Sequence, residues 1–153
     1  MKLSMTYSVK TKRLNHIFMD TVRLYRQAVS FFMDVCLQEW NTVSSGKGQK
    51  ERVNLVESFT VASKKNPSVS YDFGADFYKF PCYLRRAAIA EALGKVSSYR
   101  SNLTRWEAAD PASRGEKPGL PQAGIVYPAM YRENMFIRTS TYQAALKVFI
   151  RNT

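Results

Sequence analysis

The stretch Phe80-Pro-Cys-Tyr-Leu-Arg-Arg-Ala-Ala-Ile-Ala-Glu-Ala-Leu-Gly-Lys-Val-Ser-Ser-Tyr-Arg-Ser-Asn-Leu-Thr-Arg-Trp106 decides how this chain is read. Pro81 suits a first helical turn, because its missing N–H would be an orphan donor there. From Pro81 onward Ile89, Ala92, Leu93, Val96, Leu103 and Trp106 supply an inner face. Arg85, Arg86, Lys95, Arg100 and Arg105 give the same helix a mostly basic exterior, and Asp110-Pro111 ends it. A long amphipathic helix of this kind needs partner helices to cover its apolar stripe, and its outer side attracts anions.

The partners lie upstream. Thr11 suits an N-cap and opens a helix predicted to run to about Trp40. Its stripe is Leu14, Ile17, Phe18, Tyr25, Ala28, Phe32, Val35 and Cys36, with Thr21 filling the gap. Lys12, His16, Arg23, Arg26, Gln27 and Ser30 form its more polar face, so His16 reads as a solvated side chain. Residues 41–50 read as a polar loop, and their Ser44-Ser45-Gly46-Lys47-Gly48 lacks the spacing of a phosphate-cradling P-loop. A shorter helix over 51–63 buries Val53, Val56, Phe59 and Thr60. Between 68 and 79 a loop or short turn carries Tyr71, Phe73, Phe77 and Tyr78, which read as an aromatic cap on the helices. Two long helices and one short one make a small bundle.

Strand chemistry flanks the bundle on both sides. Lys2 to Lys10 alternates, with Leu3, Met5, Tyr7 and Val9 on one face and Ser4, Thr6 and Ser8 on the other. Downstream, a basic Pro- and Gly-rich loop with Arg114 and Lys117 leads to β-prone segments at Gly124–Tyr127, Met135–Thr139 and Ala145–Ile150. The predicted fold is therefore α+β: a small helical bundle inserted into a split antiparallel sheet or partial β-barrel. Residues 1–10 are expected as its first strand, 11–110 as a helical lobe and 111–153 as the rest of the barrel. The last strand runs directly into Arg151-Asn-Thr153, which reads as half of a hairpin and a truncated chain.

Charge narrows the function. Lys and Arg number 23 against 12 Asp and Glu, a net of +11, and an excess of this size points to an anionic partner, most commonly nucleic acid. Cys36, Cys82 and His16 are too few for a four-ligand zinc site. Cys36 falls on the apolar side of its helix and reads as core. One histidine leaves little room for a Ser/His/Asp or Cys/His set, and Asp20, Asp34 and Glu39 fall on solvated positions, so no catalytic residues, metal or cofactor are expected. No apolar run approaches membrane-spanning length and the N-terminus lacks a signal-peptide block, which reads as cytoplasmic.

The order of elements resembles the N-terminal part of the TnpB family, transposon-encoded RNA-guided nucleases of the OrfB transposase type, related to type V CRISPR effectors. The match is carried by Tyr25-Arg-Gln-Ala-Val29, Phe80 to Val96, the Ser-Asn-Leu before Trp106, Lys117-Pro-Gly-Leu-Pro121 and Met130-Tyr-Arg-Glu-Asn-Met-Phe136. The resemblance spans the whole chain and implies a wedge-type barrel interrupted by a recognition lobe. Its partners would be structured guide RNA, the RNA–DNA heteroduplex and target DNA, with no membrane and no small-molecule substrate. The family's RuvC-like nuclease domain and four-cysteine zinc ribbon have no counterpart here, so the fragment would bind without cutting.

A protein holding an A-form duplex reads phosphates and shape, which calls for Arg and Lys on a rigid surface. The candidates are Arg85, Arg86, Arg100 and Arg105 on the helix, with Lys117, Arg132, Arg138 and Lys147 around the barrel. Tyr99, Tyr127 and Tyr131 are the candidates for base stacking or hydroxyl–phosphate contact. The plainer reading is a solvated helix face for each arginine and a packed core edge for each tyrosine. Two alternatives stand beside this one. A duplex-DNA-binding transposase module would prefer paired DNA, whereas a helical module docking an acidic protein would show weak salt dependence and no RNA binding.

Overall fold

A computed structural model describes residues 16–129, 135–141 and 143–148. Among the described residues five helices lie in chain order, α1 (His16–Gln38), α2 (Trp40–Ser44), α3 (Gln49–Thr60), α4 (Phe73–Asp76) and α5 (Cys82–Ala108), followed by strands β1 (Phe136–Arg138) and β2 (Ala144–Leu146). The chain is mostly helical with a small antiparallel sheet, an α+β arrangement. The expected strand Lys2–Lys10, the Thr11 cap, Tyr131 and Arg132 lie outside the described residues.

Helices α1 and α5 form the dominant packing seam. Ala28, Val29, Phe32 and Cys36 from α1 meet one continuous core with Ala88, Ile89, Ala92, Leu93 and Val96 from α5. Small side chains on both helices let the backbones approach, and Phe32, fully buried, fills the space between them. The buried face of α1 is broader than the predicted stripe, because Val22, Leu24, Val29 and Met33 join it. Of the six residues expected inside α5, Leu103 and Trp106 are only partly covered, since the core ends near Val96. Two buried hydroxyls are satisfied locally: Thr21 donates to the Ile17 carbonyl at 2.9 Å and Thr60 to the Val56 carbonyl at 2.8 Å.

The aromatic cap is part of the core itself. Asp72 caps α4 by accepting from the N–H groups of Gly74 and Ala75 at 2.9 and 3.2 Å. This places Phe73 flat against Phe32, with ring centroids 4.7 Å apart, and against Phe77 at 4.5 Å. Phe31 and Phe80 meet Phe73 edge-on, each at 5.4 Å. Tyr78 does not join them and is 61% exposed, beneath the Lys79 ammonium at 5.0 Å. Tyr71 reaches instead to the residue between α1 and α2, where it donates to the Glu39 carboxylate at 3.0 Å; that hydrogen bond holds its phenol above the usual value.

Three boundaries differ from the sequence reading. Part of the expected loop 41–50 is the helix α2, because Val43 is an apolar anchor buried in the core. Helix α3 stops at Thr60, where Val61 turns extended. The segment Gly124–Tyr127 is not a strand. Gly124 adopts φ +57, and the Val126 carbonyl is taken by the Arg26 guanidinium at 3.0 Å. Strands β1 and β2 do form and pair antiparallel, with Phe136 opposite Leu146 and Arg138 opposite Ala144. Every residue in them is exposed.

The seam predicts that Phe32→Ala lowers unfolding free energy by ~3–5 kcal/mol, read from urea titration. Tyr78→Ala, on the exposed ring, should stay within about 0.5 kcal/mol of wild type. The two free thiols separate in the same way: burial pushes Cys36 up to about 12, while Cys82 is exposed. A thiol-reactive dye at mild pH is expected to label Cys82 alone in the native chain and both cysteines only after denaturation.

Candidate nucleic-acid interface

After α5 the chain doubles back along it. Trp106 donates its indole N–H to the Gly115 carbonyl at 2.6 Å, and the Arg114 guanidinium lies 3.8 Å from the Trp106 ring centroid. Residues 118–122 then run beside the exposed face of α5. Further on, Val126 is buried, and Tyr127 carries the Arg26 guanidinium 5.2 Å from its ring centroid. The segment is thus a strap, fastened to α5 at one end and to α1 at the other.

Between strap and helix lies an open groove of about 510 Å³. Glu91, Gly94, Lys95, Ser98, Tyr99 and Asn102 form the helix wall, and Pro118, Gly119, Pro121 and Gln122 the strap wall. Glu91, Lys95, Ser98 and Asn102 follow one another at helical three- and four-residue spacing, and exposed Arg105 continues the same stripe. Lys95 is ion-paired with Glu91 at 3.7 Å. Lys117, at the head of the strap wall, and Arg105 are exposed without an ion-pair partner among the described residues. Inside the groove the Lys95 charge is thus offset by Glu91, and the exposed cations Arg105 and Lys117 follow its two walls in sequence.

The predicted contact residues divide sharply in this geometry. Tyr99 lines the groove; Arg105 lies three residues past Asn102 on α5, Lys117 directly precedes Pro118, and both are exposed. Arg85 and Arg86 instead converge on Glu57 of α3, at 3.2 and 2.9 Å, and Arg86 also reaches Asn54 at 2.9 Å. Arg85 is no part of an open basic exterior, for its side chain is only 20% exposed. Arg100 donates to the Leu37 carbonyl at 3.0 Å, capping the end of α1, and its Nε is buried with no hydrogen-bond partner. Tyr127 is exposed and borders a separate concavity with Arg86, Ala90 and Glu91. Arg138 is turned onto the Ser140 and Thr141 carbonyls of its own hairpin, and Lys147 is exposed just past β2.

Sequence reasoning passed over Glu91, Gly94, Asn102, Gly119 and Gln122 as site residues. Their signal on the helix was the polar stripe from Glu91 to Arg105, legible as a second periodicity behind the apolar one. The strap wall carried no such signal, because it is placed by the Trp106–Gly115 and Arg26–Val126 hydrogen bonds between distant residues. Among the described residues no group of three or more His, Cys, Asp or Glu is placed to hold a metal ion. No described helix is long and apolar enough to cross a membrane.

No solved structure matches the chain. An uncharacterized protein of Aquifex aeolicus (strain VF5), aq_aa04, is 29% identical over 121 residues, covering 72% of this chain and 68% of that protein. The Aq_aa04 family model matches residues 4–150, nearly the whole length, and the chain belongs to the Aq_aa04 family.

Proposed function

We propose that this protein binds nucleic acid, with structured RNA as the preferred partner, and that the groove between α5 and the strap is its contact surface. The observation that supports this best is that the two walls of the groove run on in sequence to exposed, unpaired cations, Arg105 three residues past Asn102 on α5 and Lys117 just before Pro118, in a chain of net charge +11. Phosphates neutralise such a surface and release counterions, which is the main source of affinity in non-specific nucleic-acid binding. Tyr99 adds a ring for stacking, a contact every base accepts. The proposal includes the resemblance to the TnpB-type nucleases: a guide-RNA grip without catalytic residues, acting in the cytoplasm, its bundle set into a split sheet whose first strand is residues 1–10.

Arg85, Arg86 and Arg100 have a smaller part in this reading than in the sequence. Their guanidinium groups hold α3 and the end of α1 to α5, so they shape the surface and present less free charge on it. Glu91 works against the ligand. Its carboxylate offsets Lys95 and repels phosphate from the groove.

A titration against structured RNA, duplex DNA and single-stranded DNA at two salt concentrations tests the proposal. Tight, salt-sensitive binding with preference for RNA is the expected result. Preference for duplex DNA would move the function to a DNA-binding transposase module, and no binding at low salt would refute it, leaving an acidic protein as the partner. Arg105→Glu with Lys117→Glu should weaken binding and flatten the salt slope by about 1.4, two phosphate contacts at ~0.7 each. Glu91→Gln should tighten binding by about fivefold, the effect of removing one screened like-charge contact worth ~1 kcal/mol.

A further inference from the structure

We infer that the groove between α5 and the strap receives an unpaired nucleotide, so that the protein recognises single-stranded segments of its nucleic acid; this rests on the function proposed above. The first argument is size. A concavity of about 510 Å³ is in the range of small-ligand sites and is large enough for one nucleotide.

The second argument is the chemistry of the walls. The side chains of Ser98, Tyr99, Asn102 and Gln122 line the groove and have no hydrogen-bond partner among the described residues. Amides on opposite walls, Asn102 from the helix and Gln122 from the strap, each offer a donor and an acceptor, the pattern that meets the edge of a base. Tyr99 offers the stacking surface, and Lys117 leads into the strap wall at Pro118, where a phosphate would lie.

The third argument is a glycine in each wall. Gly94 sits in the interior of a 27-residue helix, a position where glycine costs ~1 kcal/mol relative to alanine. Nothing lies within 4 Å of the point where its Cβ would stand, so no packing contact inside the chain requires glycine there. Gly119 on the strap wall is likewise open. Both glycines line the same groove, and leaving out both Cβ atoms lets a flat ring come close to backbone on either side.

The test uses the full chain and a short fluorescently labelled RNA, offered single-stranded and annealed to its complement, with anisotropy as the readout. Wild type is expected to favour the single strand. Gly94→Leu adds bulk to the helix wall and should lose about tenfold in single-strand affinity while its thermal midpoint stays equal or rises, because leucine is the better helix former. Asn102→Ala, on an exposed position that leaves the core untouched, should weaken the same interaction without moving the midpoint. Equal binding of both RNA forms by wild type, or unchanged single-strand affinity in both variants, would overturn the nucleotide site while leaving nucleic-acid binding in place. Failure of wild type to bind either RNA at low salt, together with no binding to DNA, would overturn both.

Discussion

Everything else in this structure depends on how closely α1 and α5 approach. Ala28 and Cys36 on one helix and Ala88 and Ala92 on the other are fully buried at that seam. They leave room for Phe32, whose ring is the bridge to Phe73 and so to α4. Short helices such as α4 have no independent stability in water, and most of their order comes from tertiary packing. The Asp72 cap sets the turn, but the ring stack gives it a place.

The arginines carry a second layer of organisation. Arg26, Arg52 and Arg100 each donate to backbone carbonyls distant in the chain or at helix ends, on Val126, Gly46 and Leu37. Arg85 and Arg86 share the single carboxylate of Glu57. A guanidinium has several donors in a fixed plane and is more weakly hydrated than an ammonium, which suits it to such half-buried work. Lysines such as Lys47, Lys64 and Lys117 remain exposed. Net charge therefore overstates the basic surface available to a ligand, since much of the arginine content fastens the chain to itself.

The helical half was legible in the sequence because period and burial coincide there. The apolar positions Ile89, Ala92, Leu93 and Val96 recur at helical spacing and are buried in α5, and Cys36 is core as its position on the stripe implied. Legibility failed where one long-range bond overrides local preference. Gly124–Tyr127 has β-prone residues, yet Arg26 takes the Val126 carbonyl that a neighbouring strand would have needed. The arginines of α5 look alike in sequence, but only their partners across the fold separate Arg85 and Arg100 from Arg105. Tyr99 was singled out by its residue type and lies on the α5 wall of the groove, whereas the opposite wall was hidden, because Pro118 to Gln122 gains its position from contacts at either end.

Those two fastenings have a consequence for recognition. The strap is clamped at Trp106 with Gly115 and Arg114, and again at Arg26 with Val126 and Tyr127. A segment tied at both ends has already lost most of its chain entropy when the protein folds. A ligand entering the groove meets a wall that it need not first organise, so less of its interaction energy is lost to ordering and more appears as affinity. Loosening either clamp would reverse this, turning a rigid receptor into one that must be assembled around its guest, with slower capture and weaker retention from the same set of contacts.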